Sequence, residues 1–168
     1  TQEKYEEQNE KIKVDVEVTA GGKELLENEA ILNGQVLRYL IKLENISNES
    51  IINVKINANI QNAVFYDLVE CGTVYDITED ENGNLLYPNG RTVYTYDEYS
   101  KDIKEREIQS IEQLKAGEEV CIEYMVVAYR GNPNEETVFN NNILITAEEM
   151  ENVKIEEERN INKGSISL

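Results

Sequence analysis

Along KIKVDVEV, at Lys11–Val18, apolar and charged side chains alternate strictly, and this is the most informative pattern in the sequence. The apolar residues that share one face are Ile12, Val14, Val16 and Val18. A period of two is typical of a β-strand that has one buried and one solvated face. The stretch therefore predicts a strand in a sheet that packs on an apolar core.

Other segments extend this pattern between turn signals. The clearest are LRYLIKLEN at 37–45 and VKINANI at 54–60, which also alternate. VCIEYMVVAY at 120–129 is nearly continuously apolar and predicts a central strand buried on both faces, and VFNNNILITA at 138–147 predicts the closing strand. Short strands, frequent turns and no long amphipathic helix predict an all-β, immunoglobulin-like two-sheet antiparallel sandwich of about seven to nine strands.

Three segments divide the chain. Residues 1–11 are predicted to be a polar tether, residues 12–150 the β-sandwich module, and residues 151–168 a linker or the start of a following module. The stretch SKDIKEREIQSIEQL at 100–114 fits two structures. It is either a helix, from its apolar spacing, or a bent edge strand whose charges oppose aggregation.

The composition excludes several classes of function. The chain has 34 acidic and 16 basic residues, and a net charge of −18 repels nucleic-acid phosphates and anionic lipid headgroups. Histidine is absent, which removes the commonest general base and metal ligand. We therefore predict no enzymatic activity, no cofactor, no nucleic-acid partner and no direct membrane contact.

The two cysteines, Cys71 and Cys121, lie fifty positions apart without a CxxC spacing. That separation argues against a thiolate zinc site and against a thioredoxin-type redox centre. Two interpretations stay open: a disulfide that bridges the two sheets, or two small buried apolar residues.

An acidic segment around ITEDENGN at 77–84 carries enough oxygen atoms for a calcium ion. The candidate ligands are Asp76, Glu79, Asp80, Asn82 and Asn84. Gly83 comes at the fourth place counted from Asp80, whereas an EF-hand loop needs glycine at the sixth. The pattern favours an acidic hairpin turn over a metal site.

Four tyrosines cluster around a turn at Pro88-Asn89-Gly90, and they are Tyr87, Tyr94, Tyr96 and Tyr99. An exposed aromatic row can stack on sugar rings or anchor a protein partner. The same residues can also form packing pairs across strands. The hairpin is thus a candidate ligand site with a structural alternative.

Glu123 lies within the apolar run VCIEYMVV, where an unpaired carboxylate is costly to bury. It could assist an isopeptide bond between a lysine and an asparagine. The candidates are Lys13, Lys42 and Lys55 with Asn140, Asn141 and Asn142. The alternative, which the outward alternation of the lysines favours, is that Glu123 faces solvent or pairs with a lysine on the next strand.

Short motifs in a fixed order resemble a conserved-repeat sandwich, a domain of unknown function, in surface proteins of Gram-positive bacteria. The motifs are Gly34-Gln35-Val36, Tyr39–Asn45, Val54-Lys55-Ile56, Leu114–Glu118, Ile122-Glu123-Tyr124, and Asn142 with Ala147. The resemblance covers about residues 12 to 150 and departs from the family at residues 58–66, where the usual aspartate and "LP-G" turn are missing.

The resemblance implies a non-enzymatic structural or adhesive module of a secreted or cell-wall-anchored bacterial surface protein. Its expected partners are neighbouring modules of the same polypeptide, with a host protein or glycan as further candidates. The alternative function is a carbohydrate- or protein-binding module that uses the tyrosine hairpin.

Overall fold

The computed structural model describes residues 4–69, 78–130 and 137–162. These ranges contain a 3-10 helix at Tyr66–Leu68 and an α-helix, α1, at Tyr96–Lys101. Their strands are β1 (Lys4–Gln8), β2 (Ile12–Ala20), β3 (Lys23–Glu24), β4 (Ile31–Leu32), β5 (Val36–Asn45), β6 (Ile51–Gln61), β7 (Ala63–Phe65), β8 (Thr78–Glu79), β9 (Leu85–Leu86), β10 (Thr92–Tyr94), β11 (Glu105–Leu114), β12 (Glu119–Ala128), β13 (Thr137–Thr146) and β14 (Val153–Asn162). No helix among the described residues has the length and apolar character needed to cross a membrane.

The strands form two large sheets and one small one. The first sheet has the order β1-β2-β5-β12-β7, with β3 on β2, and the second has the order β11-β6-β13-β14-β4. The small third sheet is β10-β9-β8. Pairing is antiparallel except between β14 and β4. The predicted all-β antiparallel sandwich is confirmed, and the described residues hold more strands than expected because segments of two or three residues carry no readable alternation.

The core lies between the inner faces of the two large sheets. In β2 the alternation predicted from the sequence is present, since Ile12, Val14, Val16 and Val18 are at most 1% exposed. The inner faces of β5 and β6 are buried in the same way. Burying one such aliphatic side chain contributes about 1.5–3 kcal/mol, so the alternating strands supply the main driving force for this fold.

Strand β12 differs from the expectation that both of its faces are buried. Glu119, Cys121 and Glu123 lie exposed on the outer face of the first sheet. Only the end of the strand is enclosed on both sides, because Val127 packs into a second apolar cluster with Leu85 of the small sheet. The apolar composition of β12 predicted burial on both faces along the whole strand, but the small sheet provides it only at the end.

Both ends of the described chain belong to the sandwich, which corrects the expectation of a tether at 1–11 and a linker at 151–168. Strand β1 pairs with β2, and β14 pairs along its length with β13. The alternation of β14 is hard to recognise in the sequence because two of its inward-facing positions hold charged residues, Glu157 and Arg159, instead of apolar ones. Strand β13, expected to close the fold, therefore lies between β6 and β14.

Residues 105–114 form the edge strand β11, which settles the choice between helix and strand. It pairs with β6, and the register shifts between Glu107 and Gln109, as in a β-bulge. Ile108 and Ile111, three positions apart, both pack against the main core. This spacing also suits a helix, which explains the ambiguity of the sequence pattern.

Candidate functional site

The isopeptide candidates are not brought together. Glu123 faces solvent, and its carboxylate accepts a hydrogen bond from Arg38 on the neighbouring strand β5. This hydrogen bond and the charge of Arg38 hold the pKa of Glu123 below its usual range. The alternative prediction that Glu123 faces solvent agrees with the structure, although its partner is an arginine rather than a lysine.

The three candidate lysines all point away from the core. Lys13 forms an ion pair with Glu6 at 3.4 Å, Lys42 forms one with Glu119 at 3.4 Å, and Lys55 is exposed. Such a bond needs a lysine beside the asparagine and a carboxylate, sheltered from water. The geometry therefore offers no such cross-link among these residues.

Of the three candidate asparagines, only Asn141 is buried. Its Nδ2 donates a hydrogen bond to the Tyr124 hydroxyl at 2.5 Å. Asn140 and Asn142 point to the outer face of the second sheet. The buried amide thus serves a hydrogen-bond network between the sheets.

The tyrosine hairpin mostly turns inward, contrary to an exposed row. Tyr94 is 1% exposed and meets Tyr129 edge-on, with ring centroids 5.6 Å apart. Tyr99 is half-buried and stacks on Tyr129 at 4.6 Å. Tyr87 is also half-buried, so only Tyr96 of the four presents an open side chain, 46% exposed. The packing interpretation fits this arrangement better than a ligand platform.

The helix α1, which carries Tyr96 and Tyr99, begins with a capping box. Thr95 accepts a hydrogen bond from the Glu98 backbone, and the Glu98 side chain accepts one from the Thr95 backbone. This reciprocal pair starts the helix at Tyr96. Tyr94 then donates a hydrogen bond to Asp102, which follows the helix directly. The small helix closes over the second apolar cluster.

The acidic segment forms the β8–β9 hairpin, as its turn signals indicated. Asp80 accepts hydrogen bonds from the backbones of Asn82 and Asn84, both at 2.9 Å, and from the Asn84 side chain at 3.0 Å. These bonds hold the pKa of Asp80 below its usual range. The described residues contain no group of three side chains suited to a metal ion. Asp76 lies outside the described residues.

Glu79 turns away from that hairpin into the interior. Its Oε1 lies 3.6 Å from Nε of Arg130, and both side chains are less than a tenth exposed. Burial raises the pKa of Glu79, and the charge of Arg130 opposes that rise. A carboxylate committed to a buried ion pair is not available to a calcium ion.

Cys121 lies exposed on the outer face of the first sheet. It sits opposite Lys42 in the register of β12 and β5. The interpretation of Cys121 as a buried apolar residue is therefore wrong. Its proposed disulfide partner, Cys71, lies outside the described residues, so the disulfide stays a prediction.

A polar network that sequence reasoning missed crosses the core between the sheets. Tyr39 on β5 donates a hydrogen bond to the buried Glu157 on β14, and Tyr39 stacks on Tyr124 with ring centroids 5.0 Å apart. Arg159 donates to Glu157 at 2.8 Å from Nε. Burial raises the pKa of Glu157, while Arg159 and Tyr39, which bind its ionised form, oppose the rise. The sequence signal for this network was the presence of two charged residues, Glu157 and Arg159, at inward positions of the alternating strand β14.

Two motifs of the family resemblance meet in space. Asn45 is the last residue of β5, and its backbone bonds to the turn before β12. Its N–H donates to the Glu118 carbonyl, and its carbonyl accepts from the Gly117 N–H, both at 2.9 Å. Its side chain donates to the Leu114 carbonyl at 2.9 Å. Gly117 has a φ of +77°, a conformation that glycine adopts without strain. The asparagine and the turn therefore act as one structural junction.

Two surface clefts lie near strand β14. The first, about 230 Å³, lies on the outer face of the second sheet and is lined by Asn57, Asn59, Glu105, Asn142, Ile143, Leu144, Lys154 and Glu156. The second, about 280 Å³, lies between β1 and β14 and is lined by Tyr5, Glu6, Glu7, Glu27, Lys154, Ile155 and Glu156. Both are open and mainly polar in their lining residues.

No family model matches the sequence, and no curated protein matches it. Solved structures with a similar fold include a family 123 glycoside hydrolase from Clostridium perfringens, at 10% identity and a TM-score of 0.46, with 89% of this chain and 27% of that chain covered. A CARDB domain from Pyrococcus furiosus has 12% identity and a TM-score of 0.42, with 93% of both chains covered. The C-terminal domain of wzt has 9% identity and a TM-score of 0.44, with 96% of this chain and 80% of that chain covered.

These likenesses do not assign an activity, because their TM-scores lie below 0.5. The chain also spans only about a quarter of the glycoside hydrolase, 27% of its length. From its own two sheets and their pairing, the chain is an immunoglobulin-like β-sandwich module.

Proposed function

We propose that this chain is a non-enzymatic structural or adhesive module of a secreted or cell-wall-anchored bacterial surface protein. The observation that carries the proposal is that the described part of the sandwich is closed. Its interior is filled by apolar side chains and by the Glu157–Arg159 and Glu79–Arg130 pairs. The two clefts near β14 are open surface features rather than enclosed sites.

The first cleft does not fit a pair of catalytic carboxylates. Glu105 on β11 and Glu156 on β14 lie at opposite sides of it, with β6 and β13 between them. Three strand spacings of about 4.8 Å separate their backbones by about 14 Å. Glycoside hydrolases hold their two carboxyl groups up to about 9.5 Å apart. This geometry argues against that reaction class.

The second cleft holds several carboxylates but lacks the surroundings of a general acid. Glu6, Glu7, Glu27 and Glu156 are all exposed. A catalytic acid needs burial or a close like charge in a dry pocket to stay protonated near neutral pH. Exposed side chains in a shallow cleft suit solvation of the surface rather than proton transfer.

The resemblance to repeats of Gram-positive surface proteins supports the proposed location at the cell surface. Its asparagine and its glycine turn form the junction at Asn45 and Gly117, so these motifs serve the sandwich itself. The net charge of −18 suits a soluble surface that avoids anionic polymers. Neighbouring modules of the same polypeptide are the expected partners, with a host protein or glycan as the adhesive target.

Surface labelling of intact cells tests this proposal. An antibody raised against the folded module is applied to cells of the organism that encodes it, before and after permeabilisation. We expect labelling of intact cells and its loss after external protease treatment. Labelling that requires permeabilisation, with an antibody to a cytoplasmic protein as the matched control, would contradict the surface location.

A further inference from the structure

A straight polar row crosses the outer face of the second sheet. In the strand register, Glu105 of β11 lies opposite Asn59 of β6, Asn59 lies opposite Asn142 of β13, and Asn142 lies opposite Glu156 of β14. All four side chains are exposed. Adjacent strands lie about 4.8 Å apart, so the row presents evenly spaced hydrogen-bonding groups across the whole face.

The rows on either side continue this chemistry. On one side Leu144 lies between Asn57 and Lys154, and on the other Asn140 lies opposite Gln61. The first cleft, of about 230 Å³, covers the central row and the row of Leu144. The face therefore combines central amides, a carboxylate at each end of the central row, one lysine and a flat apolar contact within a shallow groove.

The outer face of the first sheet shows that this pattern is specific to one side. Its strands β2, β5 and β12 carry no asparagine at exposed positions. The three basic residues of these strands, Lys13, Arg38 and Lys42, are instead held in ion pairs with Glu6, Glu123 and Glu119. Asparagine is depleted in strands because it fits a pleated surface poorly. Its concentration on the central strands of one face goes against the preference of those strands.

The two central amides have no hydrogen-bond partner among the described residues. Asn59 and Asn142 each expose a carbonyl acceptor and two N–H donors to solvent. Asn140, in contrast, donates to Gln61 at 3.2 Å. Residues that disfavour the local structure and form no compensating contact within the protein are expected at functional positions. The free donors and acceptors of the central row are therefore available to a ligand.

The charges around the row select the class of ligand. Anionic polymers are repelled by a chain of charge −18. A cation is not favoured at the centre, because Glu105 and Glu156 lie at opposite ends and Lys154 lies near the latter. A neutral ligand whose groups both donate and accept hydrogen bonds fits the amides. We propose that this face binds a neutral, hydroxyl-rich carbohydrate chain laid across the strands.

Binding of purified protein to soluble polysaccharides tests this inference. Affinity electrophoresis with mannan, xylan, dextran, galactan and a soluble β-glucan is followed by calorimetry with oligosaccharides of any polymer that retards the protein. Hyaluronan serves as the anionic comparison. We expect saturable binding to at least one neutral polymer and none to hyaluronan.

The double variant Asn59→Thr, Asn142→Thr locates the site. Threonine favours strands, so the fold is retained, which the thermal midpoint checks. Loss of two hydrogen bonds lowers affinity by roughly tenfold or more. The matched control is Asn160→Thr, an exposed strand asparagine outside the cleft, whose affinity stays within roughly twofold.

Two results overturn the inference: no binding to any neutral polymer of the panel, or binding that the double variant leaves unchanged. The inference deepens the adhesive part of the proposed function and rests on it. The two tests fail separately, since binding is measured on purified protein and location on cells. Surface labelling without carbohydrate binding removes this ligand and leaves the structural role.

Discussion

At the scale of single residues, Arg159 is the largest fully buried side chain of the described part of the chain. It is 1% exposed, bonds to Glu157, and donates at 2.9 Å to the carbonyls of both Leu26 and Glu29. These bonds join β14 to the loop that follows β3, while Tyr39 joins the same carboxylate to the first sheet. The cost of removing two charges from water largely offsets the attraction within such a pair, whereas removing one partner leaves a buried charge uncompensated.

Replacing Arg159 with methionine is expected to lower the free energy of unfolding by about 3–5 kcal/mol, because Glu157 is left buried without its counter-charge. Urea unfolding followed by fluorescence or circular dichroism measures the loss. The double variant Glu157→Leu, Arg159→Met is expected to be more stable than the single variant. Arg38→Met, at an exposed ion pair, is the control and is expected to have little effect. A single variant as stable as that control would contradict the role of the pair.

At the scale of elements, β11 is a long edge strand that pairs with β6 on one side and whose sequence protects its other side. It carries Glu105, Glu107 and Glu112, and a bulge near Ile108 breaks its regular pairing surface. Exposed edge strands otherwise pair with other chains, and charges and bulges are the usual means of preventing this. Arg106 further ties the strand to the 3-10 helix that follows β7 by binding Asp67 at 2.9 Å.

Removing two of these charges is expected to promote self-association. In the variant Glu107→Thr, Glu112→Thr the edge gains two strand-favouring residues and loses like-charge repulsion. Sedimentation velocity over a range of protein concentrations measures dimers and larger species. The control Glu17→Thr, Glu44→Thr removes the same charge from internal strands of the first sheet and is expected to stay monomeric. Equal behaviour of the two variants would show that net charge, and not the edge, governs association.

At the scale of the whole molecule, the tyrosines form part of both cores. Tyr39 and Tyr124 stack within the main core, and Tyr94, Tyr99 and Tyr129 pack in or against the second apolar cluster. Burial raises the pKa of each of these phenols, and it raises the pKa of Tyr5 to about 12. Their neutral forms are therefore favoured in the folded state.

Because the folded state favours neutral tyrosines, the protein is expected to lose stability as pH rises above about 10, where the tyrosines of the unfolded chain ionise. In that range the unfolded state has lost protons that the folded state retains, so the free energy of unfolding falls as pH rises. Urea unfolding at several alkaline pH values measures the slope. Absorbance titration is expected to show tyrosinate forming at higher pH in folded than in urea-unfolded protein. Coincident titration curves would contradict the burial of these rings.

Elements whose signal is local could be predicted from the amino-acid sequence alone. In β2, in β5 and in β6 from Val54 onward, a strict period of two places one face in the core, whatever strands lie beside them. The acidic turn at Asp80 and the glycine turn at Gly117 were likewise set by neighbouring residues. The class of fold followed from these segments, because short alternating strands have few other ways to bury their apolar faces.

Features that depend on partners distant in the chain could be assigned only from the three-dimensional structure. The inward position of Arg159 on β14 is explained only by its partners, the Glu157 carboxylate and two loop carbonyls. The tyrosines point inward because the small sheet and α1 close over the end of β12. The candidate ligand face also arose this way, since register sets Asn59 beside Asn142 although 83 positions separate them in the chain. Periodicity assigns a residue to a face, whereas pairing between strands decides which side chains meet there and which remain free to bind.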